Sequence, residues 1–162
     1  MMPFSGSGDR VRPGPSRRSK EISMVTQKAL LPVVDLEGFS NAVVDVFIEL
    51  PQTDAGSRCA GICAASMALA DAGIIMKDMV AAVSCGKVSD QVLVDLNYEE
   101  ESHEEGAVDI PIAMVPSTEQ ITLLQLDGLI TKDELKKAIQ MVKPVLKKIA
   151  EIQRKALKEK YK

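Results

Sequence analysis

The pattern of apolar and polar positions along the chain predicts three helices. The first is predicted over 17–31, capped by Ser16 and stopped by Pro32. The second is predicted over 57–72 and is made almost wholly of small and apolar residues after Arg58, which is typical of a helix buried on most sides. The third begins after the capping box of Thr131 and Glu134 and runs to about residue 158, with an apolar stripe that includes Ile152.

Shorter apolar runs predict five strands between these helices. The β-branched run 43–48 indicates one strand, and two hairpins are predicted, 79–84 with 91–96 and 110–115 with 121–126. Residues 1–16 are rich in glycine and proline and are predicted to form an extended lead-in segment. The order helix, strand, helix, four strands, helix predicts an α+β domain with helices packed on a sheet.

The composition excludes several classes of protein. The 162 residues suffice for one domain of ordinary size, and 46% of them are hydrophobic. Aromatic residues make up only 3%, which argues against a base-stacking platform for single-stranded nucleic acid. No apolar run approaches the roughly 20 residues of a membrane span, and the first residues do not resemble a secretory signal. We therefore expect a soluble, cytoplasmic chain with no membrane partner.

Three cysteines are too few and too unevenly spread for a disulfide framework. Cys59 and Cys63 lie four residues apart in the small-residue helix, and the chain has a single histidine, His103. We expect these thiols to behave as buried small hydrophobic groups rather than as metal ligands.

Charge is strongly segregated along the chain. Residues 1–20 hold five basic residues and one acidic residue, and residues 132–162 hold eleven basic and four acidic residues. The middle, 21–131, holds four basic and eighteen acidic residues. Such asymmetry suggests a surface for a polyanion at the two ends, although a solvated basic helix also explains residues 132–162.

Two basic elements are candidates for anion binding. Arg17 and Arg18 lie just inside a predicted helix start, where backbone N–H groups add to their charge. Gly56, Ser57 and Arg58 open the buried helix and offer close backbone approach, a hydroxyl donor and a guanidinium fork. An ordinary helix cap with Arg58 paired to Asp54 is the alternative.

An acidic loop over 99–105, followed by Asp109 at the entrance of an apolar strand, is the third candidate element. Converging carboxylates can bind Mg²⁺ or protonate a leaving oxygen. A solvated acidic loop is the alternative for most of these residues. Together the three elements indicate an α+β domain that handles phosphate or nucleic acid.

Several segments, in this order along the chain, resemble the RNase PH family. They are residues 2–5, 12–18, 54–58, 64–73, 83–88, 94–97 and 109–114. The resemblance implies a fold like ribosomal protein S5 domain 2, with helices on a mixed sheet. It also implies that residues 17–162 correspond to the C-terminal two-thirds of the family domain, which would make the chain N-terminally truncated.

The activity implied is 3′-to-5′ degradation of RNA by phosphorolysis, in which inorganic phosphate is the co-substrate and nucleoside diphosphates are released. Residue by residue, the resemblance assigns RNA backbone binding to Arg17 and Arg18 and phosphate binding to Gly56, Ser57 and Arg58. It assigns protonation of the leaving oxygen and Mg²⁺ binding to a pair of aspartates. The second matches Asp109, while the position of the first, counted forward from 95–97, is Glu101 in a loop two residues longer.

Within the family, the 109–114 strand and the long basic helix look most like the exosome branch in archaea. That branch implies a catalytic subunit paired with a second RNase PH-like subunit in a hexameric ring of three heterodimers, with S1- and KH-type RNA-binding caps. A non-catalytic ring subunit and a stand-alone enzyme that trims transfer-RNA 3′ ends are the alternatives.

Overall fold

A computed structural model describes residues 14–103 and 106–162 of the chain. Most of the lead-in predicted over 1–16 therefore lies outside the described residues. The helices are α1 (Arg17–Leu30), α2 (Ser57–Asp71), α3 (Tyr98–Glu101) and α4 (Lys132–Lys160). The strands are β1 (Ala81–Val88), β2 (Gln91–Val94), β3 (Ala107–Val115) and β4 (Gln120–Leu124).

The predicted caps of the two amphipathic helices are confirmed. The Ser16 hydroxyl accepts a hydrogen bond from the backbone N–H of Ser19 at the start of α1. The Thr131 hydroxyl does the same for Glu134 at the start of α4. Each bond pairs one of the N–H groups that a helix leaves without an internal partner. The α+β class predicted from the order of elements is likewise confirmed.

The four strands form one sheet in the order β2-β1-β3-β4. All three pairings are antiparallel. The described sheet is therefore purely antiparallel, whereas the resemblance implied a mixed sheet. Both hairpins have short connections, which can join only antiparallel strands. The turn of the first hairpin is tighter than predicted, because β1 extends to Val88, which pairs with Gln91 and leaves only Ser89 and Asp90 in the turn.

Helices cover both faces of this sheet. On one face α1 and α2 pack against alternate residues of β1 and β3, among them Ala82 and Ala113. On the other face α4 packs against the intervening residues, including Ile110 and Ile112. Side chains alternate between faces along a strand, so each strand serves both cores. Cys59 is buried on the α2 side, as predicted for a small hydrophobic residue.

At the start of β1, the backbone groups that point away from β3 bond to side chains instead of to another strand. The Val80 N–H donates to the Ser66 hydroxyl over 2.9 Å, and the Val80 carbonyl accepts from the Gln153 amide over 3.3 Å. Cys63 Sγ accepts from the Ala82 N–H and donates to the Ala82 carbonyl. These bonds join α2 and α4 to the sheet at the same edge.

Three expectations about local structure are wrong. Residues 43–48 form no strand, and Val43 and Phe47 are among the most exposed apolar side chains described. A strand requires a partner for its backbone groups, and the described residues bring none beside this run. The acidic loop begins with the short helix α3, capped by Asn97. Ile152, assigned to the apolar stripe of α4, is 58% exposed, while Gln153 is buried in its place.

No helix within 14–103 or 106–162 is both long enough and apolar enough to cross a membrane.

Candidate functional site

The turn before α2 has the shape expected of the predicted phosphate-binding element. Gly56 is the N-cap of α2 and has a φ of 55°, in the left-handed region where glycine is favoured. No side chain caps α2, so its first N–H groups are left for water or a ligand. A Cβ on Gly56 would lie 3.5 Å from the hydroxyl of Ser84, a buried group with no partner among the described residues.

Arg58 lies one residue inside α2, and its guanidinium contacts two other elements. Its Nη1 donates to Oε1 of Gln125 over 2.6 Å, and its Nη2 lies 3.7 Å from Oε1 of Glu21. Its Nε is buried and has no hydrogen-bond partner among the described residues. The alternative pairing with Asp54 is wrong, because the Asp54 carboxylate accepts from the backbone N–H of Tyr98 instead.

Asp109 is the third residue of β3, and its charge acts on Cys59 in the first turn of α2. It pairs in register with Gly86 of β1 on one side and forms an isolated antiparallel bridge with Asp127 on the other. The two aspartates exchange backbone hydrogen bonds of 3.0 and 2.9 Å. Directly opposed residues of an antiparallel pair project to the same face of the sheet, so the Asp127 side chain lies on the same face as that of Asp109.

Several predicted site residues lie near the carboxyl group of Asp109 and affect its pKa. Burial raises the pKa of the Asp109 carboxyl above its usual value, and the negative charges of Glu101 and Asp127 raise it further, while Arg58 and Arg18 oppose this shift. Three other residues predicted from the sequence (Arg18, Arg58 and Glu101) therefore lie close enough to Asp109 for their charges to act on its carboxyl group. A carboxyl with a raised pKa keeps its proton at a higher pH than an exposed aspartate does.

Arg17 is exposed at the first turn of α1, beside Arg18. Its contact with RNA, like that of Arg18, stays a prediction. Ser57 begins α2 next to Arg58 and is half-buried. Its binding of phosphate stays a prediction as well.

Glu101 is the last residue of α3 and is half-buried. The hydrogen bond from Tyr98 N–H to Asp54 joins α3 to the turn that precedes α2, the turn predicted to bind phosphate. The described residues contain no cluster of three or more acidic, cysteine or histidine side chains suited to a metal ion. Mg²⁺ commonly uses one or two carboxylates together with water and substrate phosphates, so Asp109 and Glu101 suit it chemically.

Sequence reasoning missed three residues of the site. Gln125 and Glu21 contact Arg58, and Asp127 bridges Asp109, although none was singled out for the site. Gln125 is 67 residues from Arg58 and 104 residues from Glu21 along the chain. The neighbouring sequence gives no signal for contacts over such separations, and only the folded sheet and helices create them.

Comparison with protein families finds two adjoining matches. Residues 1–75 match domain 1 of the 3′ exoribonuclease family, and residues 78–142 match domain 2 of the same family. Similar curated proteins bear the name exosome complex component Rrp41. Those of Nitrosopumilus maritimus, Thermococcus kodakarensis and Methanopyrus kandleri are 54%, 51% and 50% identical, each over 99% of this chain. The chain spans 65%, 64% and 66% of their respective lengths.

Among solved structures, the fold is similar to that of rice (Oryza sativa) Rrp46. The TM-score is 0.80 at 20% sequence identity, covering 90% of this chain and 68% of the rice chain. At this identity the likeness concerns the fold alone.

Proposed function

This chain belongs to the 3′ exoribonuclease family, the RNase PH family, and on that premise we propose that it carries the catalytic site of a phosphate-dependent 3′-to-5′ exoribonuclease. The proposal places the chain in an exosome ring beside a second RNase PH-like subunit, with RNA-binding caps. The name shared by the similar curated proteins supports this setting. The observation that carries the catalytic part is that Arg58 contacts Gln125, whose backbone pairs with the strand of Asp109. Arg58, Arg18 and Glu101 also lie close enough for their charges to act on the Asp109 carboxyl group.

The proposed reaction transfers the terminal nucleotide of an RNA to inorganic phosphate. A phosphate oxygen attacks the phosphorus of the last phosphodiester bond, and the bond from that phosphorus to the 3′ oxygen breaks. The 3′ oxygen takes a proton, so the products are a nucleoside 5′-diphosphate and an RNA shortened by one nucleotide. The chain must therefore hold a free phosphate, hold the RNA end and supply a proton.

Arg58 and the α2 turn are assigned to the attacking phosphate. A guanidinium offers donors in a fixed fork that matches phosphate oxygens, and the first N–H groups of α2 have no side-chain cap. Among the residues described, the buried Nε of Arg58 has no hydrogen-bond partner, and neither has the Ser84 hydroxyl near Gly56. Unpaired buried donors are costly in a folded protein, and the oxygen atoms of a bound anion are suitable partners for groups at this turn.

Asp109 is assigned to protonation of the leaving 3′ oxygen. Its raised pKa favours the protonated form that this role requires.

Arg17 and Arg18 at the start of α1 are assigned to the RNA backbone. Contacts to backbone phosphates carry little sequence information, which suits an enzyme that degrades RNA of any sequence.

Asp109 and Glu101 would hold Mg²⁺ if the enzyme uses it. The ion would neutralise charge on the phosphoryl oxygens as the bond to the 3′ oxygen breaks. A carboxylate that binds the ion cannot donate a proton at the same moment, so Glu101 is the better candidate for the metal.

The test is a phosphorolysis assay on a short labelled RNA with the chain reconstituted with an RNase PH-like partner subunit. We expect nucleoside diphosphates to appear only when inorganic phosphate is present. Asp109→Asn should reduce the rate at least about 100-fold, because an amide cannot donate the proton. Nucleoside monophosphates would mean hydrolysis and contradict the proposal, and no release at all would favour a non-catalytic ring subunit.

A further inference from the structure

Two residues from distant parts of the chain hold the guanidinium of Arg58. Gln125 accepts from Arg58 Nη1 over 2.6 Å through its Oε1 and donates through its Nε2 to Oε1 of Glu21 over 3.2 Å. The same Glu21 oxygen lies 3.7 Å from Arg58 Nη2, too far for a hydrogen bond but close enough for an ion pair. The three side chains form a closed triangle, with each pair in contact.

The backbone of Gln125 is itself fixed to the strand that carries Asp109. Its N–H donates to the carbonyl of Pro111 over 3.2 Å, and two residues later Asp127 exchanges both backbone hydrogen bonds with Asp109. The amide group that contacts Arg58 therefore projects from a segment paired with β3. This links the position of the arginine to the position of the acid.

We propose that Gln125, supported by Glu21, is a positioning residue that orients the Arg58 guanidinium toward the attacking phosphate. The inference rests on the proposed function, because it assigns Gln125 a role in the same site. Gln125 uses Nη1 and leaves the hydrogens of Nη2 without a hydrogen bond among the described residues. A hydrogen bond to a charged donor is stronger than one between neutral groups, so one amide oxygen suffices to select an orientation of the arginine.

Glu21 sets the orientation of Gln125. An amide can rotate to exchange its oxygen and nitrogen, and the carboxylate of Glu21 can accept only from the nitrogen. This directs Oε1 of Gln125 toward Arg58. Glu21 also partly neutralises the charge of Arg58 in the absence of a ligand. Removing the charge of Glu21 should therefore raise the affinity for phosphate, whereas removing the oxygen that accepts from Gln125 should lower it.

The first experiment compares Gln125→Ala with Gln120→Ala in the reconstituted phosphorolysis assay. Gln120 is an exposed residue at the other end of β4 and serves as the matched control. We expect Gln125→Ala to raise the KM for phosphate about tenfold, the typical loss for one hydrogen bond to a charged group. The KM for RNA and the kcat at saturating phosphate should stay within about threefold, and Gln120→Ala should match the wild type.

The second experiment compares Glu21→Gln with Glu21→Ala. Both variants remove the same negative charge, and only Glu21→Gln keeps an oxygen that can accept from Gln125. We expect Glu21→Ala to have a KM for phosphate several-fold above that of Glu21→Gln. Equal values would show that the oxygen has no positioning role and would overturn the part of Glu21.

A third measurement separates failure of this inference from failure of the proposed function. In the full chain labelled with ¹⁵N-arginine, the Arg58 side-chain signals report rotation of the guanidinium without any assay of activity. We expect restricted rotation in the wild type and in Gln120→Ala, and averaged signals in Gln125→Ala. An active complex in which Gln125→Ala behaves like Gln120→Ala overturns the inference alone, whereas an inactive wild-type complex with restricted Arg58 overturns the proposed function alone.

Discussion

Gly86 and Asp127 flank Asp109 across the sheet, and each acts on it in a different way. Asp127 holds both backbone groups of Asp109 and adds a negative charge on the same face of the sheet. Gly86 allows close packing of β1 on the other side, because a Cβ there would lie 1.9 Å from the carbonyl oxygen of Val108 and 2.5 Å from Leu96 Cδ1. The place of Asp109 in the sheet thus depends on backbone hydrogen bonds to one neighbour and on close backbone packing at the other.

Gly86→Ala should destabilise the chain by about 3 kcal/mol, because the new methyl group meets backbone that cannot move without disrupting β1 and β3. Chemical denaturation monitored by circular dichroism would measure this loss. Gly38→Ala is the matched control, since its Cβ would lie 3.9 Å from Ile75 Cδ1 in ordinary contact and should change stability by less than about 0.5 kcal/mol. Equal stabilities of the two variants would contradict the packing described for Gly86.

Residue types and local patterns are sufficient to predict the principal charged groups of the candidate site. The isolated arginine at the start of an apolar helix pointed to Arg58, and the aspartate at a strand entrance pointed to Asp109. Gln125, Glu21 and Asp127 could not be found in this way, because their importance arises from contacts across the fold. Arg58 also lacks the local partner Asp54 that its sequence neighbourhood offers, since Asp54 is used by α3.

Helix α4 is attached to the sheet at its first turn through Glu134. Its carboxylate accepts from the Thr131 N–H and hydroxyl in the capping box, and lies 2.7 Å from Lys87 Nζ on β1. These contacts lower the pKa of Glu134 to about 2, with the Lys87 hydrogen bond as the largest cause. The helix start and the strand are therefore held together by one charged group.

The stability from Glu134 should be present above pH 4.5, its ordinary pKa, and should be lost as the pH falls toward about 2. The sign follows because the unfolded chain binds the proton more readily than the folded chain does. Glu134→Gln retains a capping-box side chain but not the charge, so it should flatten the decline in stability between these pH values. Melting temperatures over this range at low salt would measure it, and parallel curves for the two proteins would contradict the assignment.

At the level of elements, sequence periodicity predicted most of the helices and strands because their caps and hairpins are local. The Ser16 and Thr131 caps, the buried helix α2 and both hairpins needed no information from distant residues. The run 43–48 has the composition of a strand but lies in irregular structure, because strand formation depends on a neighbouring backbone. Only Ile48 of this run packs on the core, against α2 at Gly61.

Considered as a whole molecule, the chain exposes an apolar segment on its α2 side. Val43 is 84% exposed and Phe47 is 88% exposed, and Val44 and Val46 between them are also exposed. Four exposed apolar side chains within five residues, interrupted only by Asp45, favour association with other chains. Leu129 is as exposed but lies outside this run.

The isolated chain should therefore self-associate, and Phe47→Lys should reduce the associated fraction because it replaces the most exposed apolar side chain of the run with a charge. Size-exclusion chromatography over a range of protein concentrations measures this. Leu129→Lys, which changes an equally exposed side chain outside this run, should associate like the wild type. A wild-type chain that stays monomeric at every concentration and melts cooperatively would contradict the expectation.

The edge of β1, unlike the segment 43–47, is protected against association with other chains. Ser66, Cys63 and Gln153 already use the outward backbone groups of Val80 and Ala82, so a foreign peptide cannot dock there as an added strand without first displacing three side chains. Addition of a strand to the sheet is therefore blocked at this part of β1. A strand from another chain would have to pair with the outer edge of β2 or β4 instead.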